Sequence, residues 1–111
     1  MARNVKVIVY PVKDVEQAKR FYTKFLDTEP YVASSYYVGN KVGDLEVGLD
    51  PNSNVGPIAY TDVEDIKKSL QTLTETGAEI IRDVRDVSGG LLIAQVKDQD
   101  GNIVGIRQQI K

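Results

Sequence analysis

Val5-Lys6-Val7-Ile8-Val9-Tyr10-Pro11-Val12-Lys13-Asp14-Val15-Glu16 is the stretch on which the fold reading turns. Val5, Val7 and Val9 alternate with Lys6, Ile8 and Tyr10, so both faces are largely apolar, as in a strand covered on two sides. Pro11 stands near the end of the run, where a missing amide donor is tolerated. Asp14 then suits a helix N-cap, and Val15, Ala18, Tyr22 and Phe25 or Leu26 follow at helical spacing, with Phe21 joining that face. The same junction returns as Val63-Glu64-Asp65-Ile66. Aligning the Asp-Val-Glu triplets at Asp14 and Asp62 instead would misalign the two helix faces.

Between the two junctions, residues 30–35 and 36–42 read as extended. A tight Gly43-Asp44 turn leads into a further strand over 45–50. Residues 51–56 (Pro51-Asn52-Ser53-Asn54-Val55-Gly56) read as a linker. The second cycle opens with a strand over 57–63 and a helix capped by Asp65, with Ile66, Leu70 and Leu73 on one face and Gly77 at its end. Strands over 78–84, 91–97 and 102–108 follow, separated by Ser88-Gly89-Gly90 and by Asp98-Gln99-Asp100-Gly101. The order is strand, helix, three strands, twice over. One domain over 1–111 is expected, with one module at 1–50 and another at 57–111.

The chain has 111 residues, 14 basic and 16 acidic, mixed along its length. No basic stripe appears, which argues against nucleic acid as a partner. No long apolar run points to a signal peptide or a membrane span. Cysteine is absent, which removes disulfides and thiolate chemistry and fits a cytoplasmic location. Histidine is absent too, and with it the commonest general base and the commonest metal ligand.

Val12-Lys13-Asp14-Val15-Glu16 with Ala18 and Phe21-Tyr22, Val63-Glu64-Asp65-Ile66 through Gly77-Ala78-Glu79-Ile80, and Asp98-Gln99-Asp100-Gly101-Asn102 together resemble the glyoxalase/bleomycin-resistance/dioxygenase (vicinal oxygen chelate) family. In the last of these motifs Gln99 replaces the family's proline. The resemblance implies an α+β fold of two tandem βαβββ modules forming a half-open barrel around a cavity, and a homodimer. In metal-dependent members it also implies a divalent ion held from the first and last strand of each module. Those positions fall on Val7 and Ile58, with Pro57 as the neighbouring register, and on Gly48 and Gly105. None has a side chain able to coordinate a metal, so no metal or other cofactor is expected. A displaced site at Glu46 and Asp50 is the remaining way to hold one.

Strand alternation extends those four positions into a lining: Val5, Val7 and Val9; Glu46, Gly48 and Asp50; Ile58, Tyr60 and Asp62; Ile103, Gly105 and Arg107; with Gln95 beside Ile93 and one ring of Tyr36 or Tyr37. The opposite parity, Ile8, Tyr10, Leu45, Val47, Leu49, Ala59, Val104 and Ile106, suits packing under the helices. An apolar floor with a few polar groups is the usual composition of a small-molecule pocket. The two glycines either leave room for a ligand or relieve backbone crowding. Arg107 either holds a ligand anion or pairs with Glu46 or Asp50. Glu46 is either a general base or a solvated carboxylate at a strand edge, and Tyr60 either meets a ligand or covers core. Three functions follow in order: a binder of an apolar or aromatic small molecule, a metal-independent lyase or isomerase using Glu46 and Arg107, and an interaction module whose cavity its own side chains fill.

Overall fold

A computed structural model describes residues 2–110. The first half comprises β1 (Ala2–Pro11), α1 (Val15–Leu26), β2 (Val32–Ala33), β3 (Val38–Val42) and β4 (Leu45–Asp50). The second comprises β5 (Ile58–Val63), α2 (Ile66–Glu75), β6 (Glu79–Ser88), β7 (Leu91–Lys97) and β8 (Ile103–Gln109). Each half is a βαβββ module, and the class is the expected α+β. By packing, residues 6–59 form one compact unit, and residues 60–110 with the first residues of β1 form the other.

Within the first half the strand order is β2-β3-β4-β1, with β1 parallel to β4 and the other pairs antiparallel. The second half repeats it as β6-β7-β8-β5, with β5 parallel to β8. A parallel pair needs a long crossover, and in each half the helix belongs to that crossover. The expected strand over 78–84 runs longer, to Ser88, because β6 continues alongside β7 through three register shifts. The extended 30–35 segment shortens to a two-residue β2.

Both helices start where the sequence places an aspartate cap. Asp14 Oδ1 accepts from the amides of Glu16 and Gln17, each at 3.1 Å. Asp65 Oδ1 accepts from the Lys68 amide at 3.1 Å, and the Ile66 amide, another orphan donor of that first turn, reaches Gln108 Oε1 at 2.9 Å. The end of α2 is a Schellman closure: the Ala78 amide bonds the Leu73 carbonyl at 3.1 Å and the Gly77 amide bonds the Thr74 carbonyl at 3.0 Å. Gly77 takes φ 102°, which a side chain would strain.

Helix contacts fix which face of the strands is covered in each half. In the second half Ile66 and Leu70 of α2 pack on Val63, Ala94, Val96 and Ile106, with Leu73, Ala78, Val84 and Leu92 around them. In the first half Tyr10 stacks on Tyr22 of α1 at 5.3 Å, and the fully buried Asn40 donates from Nδ2 to the Thr28 carbonyl at 3.0 Å. Val38, Val47 and Leu49 are buried on that same side.

Two expectations about the covered side change. Phe21 and Phe25 are 60% and 70% exposed, because the inward stripe of α1 runs through Val15, Ala18, Tyr22 and Leu26 and leaves both rings to one side of it. Ala59 is exposed, and Val104 lines an open groove with Leu73, Ala78 and Val96 at the C-terminal end of α2.

The turn before β8 is held by Asp98. Its carboxylate accepts from Asn102 Nδ2 at 3.0 Å, the Asn102 amide at 2.8 Å and the Asp100 amide at 2.9 Å. The Asn102 side chain first, then the backbone amides, hold this carboxyl below its usual range. A carboxyl lowered in the folded state stabilises fully above its unfolded value of about 3.9, and the contribution disappears as pH falls through the folded value. Asp98→Ala is therefore expected to lower the urea midpoint at pH 7. The gap from the parent protein should close on acidification below about pH 4, as urea titrations across pH would record.

Candidate functional site

In each half the face of the strands turned away from the helix, hereafter the uncovered face, is organised in rows set by strand register. In the first half one row runs Val9–Gly48–Gly39 across β1, β4 and β3, and the next runs Val7–Glu46–Lys41. In the second half one row runs Tyr60–Gly105–Gln95 across β5, β8 and β7, and the next runs Asp62–Arg107–Ile93. Val7, Val9, Glu46 and Gly48 therefore share a face in the first half, and Tyr60, Asp62, Gln95, Gly105 and Arg107 share one in the second. Val7, Glu46, Ile58, Tyr60 and Gln95 are buried, while Val9 is half-buried.

Both glycines lie beneath tyrosine rings. A Cβ on Gly48 would stand 2.8 Å from Tyr37 Cζ and 2.9 Å from its Cε1. A Cβ on Gly105 would stand 2.5 Å from Tyr60 Cε1 and 2.7 Å from its Cγ. Real Cβ atoms do not come that close to ring carbons, so glycine is what lets each ring lie on the strand. The ring comes from a different place in each half. Tyr60 reaches Gly105 from the neighbouring strand, whereas Tyr37 comes from the segment leading into β3.

That segment is shaped locally. The Ser34 hydroxyl accepts from the Tyr37 amide at 3.1 Å and the Tyr36 amide at 3.3 Å, and the Ser34 amide donates to the Tyr37 carbonyl at 2.9 Å. This serine turn directs Tyr37 to the sheet and leaves Tyr36 exposed, a choice that alternation alone left open. Tyr31 is anchored by its amide on the Gly39 carbonyl at 3.0 Å.

The two phenols converge on Glu46. Tyr31 donates to Oε1 and Tyr37 donates to Oε2. Glu46 is 9% exposed, so it is not the solvated edge carboxylate that its strand position suggested. The paired glycines of the adjacent row make this possible, since a Cβ on Gly39 would meet Glu46 Oε2 at 3.1 Å and Tyr31 Cε1 at 3.2 Å. Lys41, the cross-strand partner of Glu46, places its ammonium 5.4 Å from the Tyr31 ring centroid. Tyr31 lay outside the expected lining because its segment reads as a plain extended run.

In the second half the polar groups are paired differently from expectation. Gln95 Nε2 donates to the Tyr60 hydroxyl at 2.8 Å. Arg107 Nε pairs with Asp62 Oδ1 at 2.5 Å, so the guanidinium goes to its own row rather than to Glu46 or Asp50. The parallel register of β5 on β8 sets Asp62 directly opposite Arg107.

The sequence profile of the Glyoxalase/Bleomycin resistance protein/Dioxygenase superfamily matches residues 4–106. The chain belongs to this superfamily. Solved structures with its fold include a superfamily member from Vibrio splendidus, 20% identical over 99% of this chain and 100% of that one, at a TM-score of 0.75. A variant of methylmalonyl-CoA epimerase from Streptomyces coelicolor, in complex with 2-nitronate-propionyl-CoA, is 12% identical over 100% of both chains at 0.80. The Mn(II)-bound glyoxalase from Novosphingobium aromaticivorans is 17% identical over 99% of this chain and 40% of its own, at 0.74. No curated protein matches the sequence.

The residues of this superfamily member do not fit a divalent metal. Val7, Ile58, Gly48 and Gly105 offer no donor, and aromatic rings lie over both glycines. Among the described residues, no three His, Cys, Asp or Glu side chains are grouped to hold an ion. Hard cations require several oxygen ligands, and none of these four positions carries one.

Gly105→Ala should destabilise the protein by about 1–3 kcal/mol, because the buried Tyr60 ring must shift. The same change in a Tyr60→Ala background should cost clearly less, giving a coupling energy in a denaturation double-mutant cycle.

Proposed function

We propose that this protein is a metal-independent, small-molecule-binding member of its superfamily, which holds an apolar or aromatic ligand on the uncovered face of the first half. One observation supports this most strongly. The strand position to which the family resemblance assigns a metal ligand is Gly48, and the surface there is the Tyr37 ring beside a phenol-held Glu46. Val7 and Val9 supply the apolar floor, with Glu46 and the two hydroxyls giving orientation. A few convergent polar groups on an apolar lining is the composition expected of a ligand site. The reading includes a homodimer in a reducing compartment, the latter on the strength of the cysteine-free chain.

The rings over Gly48 and Gly105 also favour a second reading, in which the family's ligand space is filled by the protein's own side chains and the domain serves as an interaction module. The lyase or isomerase reading is weakened, because the Arg107 guanidinium it would use is paired with Asp62.

Native mass spectrometry of the purified protein separates these readings. A dimer carrying an organic adduct and no metal is the expected result. A bare polypeptide mass that no aromatic ligand library shifts would favour the filled module. Stoichiometric divalent metal would overturn the proposal.

A further inference from the structure

We propose that the Tyr31–Glu46–Tyr37 cluster is a subsite for a small organic cation, an alkylammonium group carried on an apolar or aromatic body. This rests on the ligand-binding reading above and names the class of ligand. A carboxylate offers about four lone-pair sites. The two phenols take one on each oxygen, so both oxygens keep acceptor capacity. Phenols are neutral donors, so they bring no positive charge to the glutamate. Among the described residues no lysine or arginine forms an ion pair with Glu46; the ion pairs join Lys19 to Glu16, Lys97 to Glu79 and Arg107 to Asp62.

The aromatic component is arranged for the same ligand. The face of a tyrosine ring attracts an ammonium within about 6 Å of its centroid. The chain already brings one there, since the Lys41 ammonium stands 5.4 Å from the Tyr31 centroid. That lysine shows what the ring face accepts, and it acts as an internal competitor for it. Tyr31 itself is 55% exposed, so an incoming cation reaches the ring from solvent. The half-buried Val9, opposite Gly48, provides the wall for the uncharged body. An anionic ligand would face Glu46 with no cation from its own row but the exposed Lys41.

The test is a titration of the full-length protein with benzylammonium and with benzyl alcohol, a neutral molecule of matching size. Backbone amide NMR provides the readout. Benzylammonium is expected to bind at least about tenfold more tightly than the alcohol, shifting the amides around Tyr31, Tyr37 and Glu46. Lys41→Ala should tighten the ammonium severalfold by removing the competitor. Glu46→Gln, which keeps an acceptor for the phenols, should abolish the preference for the ammonium over the alcohol. Equal affinities for the two probes overturn the cation subsite and leave the binding reading standing. No saturable shift with either probe, in a protein whose spectrum is that of the folded chain, overturns both.

Discussion

Gly48 and Gly105 each lie in a strand interior beneath a tyrosine ring, and the uncovered face of each half is arranged around that contact. A ring laid flat on a strand occupies the volume that a side chain would otherwise take, so ring and glycine require one another. In the second half the contact lies in a single row of register, Tyr60–Gly105–Gln95, and the amide of Gln95 completes it by donating to the phenol. In the first half it spreads over two rows. The Gly48–Gly39 pair opens the space, and Glu46 in the next row receives the hydroxyls.

The electrostatics of the two faces diverge from there. The second half neutralises its charge internally, with Asp62 against Arg107 across the parallel β5–β8 pair. The first half leaves a carboxylate held by neutral donors. Two halves of the same architecture thus present different chemistry on equivalent faces. The difference lies in which residue stands two positions from each glycine: Glu46 before Gly48, and Arg107 after Gly105.

Much of the architecture was legible in the sequence because it rests on local rules. Asp14 and Asp65 cap their helices, Gly77 closes the second one, and strand parity sorts covered from uncovered residues correctly along β4, β7 and most of β8. Some of the failures arise because pairing across elements is not written in periodicity. Arg107 had several carboxylates of suitable parity, and only the β5–β8 register selects Asp62. Tyr31 sits in a segment with two residues of regular strand, where alternation gives no direction. The pair Tyr36-Tyr37 was resolved by the Ser34 turn, a side-chain-to-backbone device that hydrophobic patterning does not see. Phe21 and Phe25 show the limit of a helical stripe drawn too wide.

The unlike origins of the two rings have a consequence for how firmly each is held. Tyr60 sits on β5 in the same row of register as Gly105, so its ring is seated by the sheet itself. Tyr37 is carried by a serine turn next to a two-residue strand whose neighbours are mostly exposed, a segment with little to lose by local opening. The Tyr37 ring is thus seated by a local turn and its hydroxyl contact with Glu46, and the Tyr60 ring by sheet register. A fold that repeats its outline twice places the same ring-on-glycine contact by two different means.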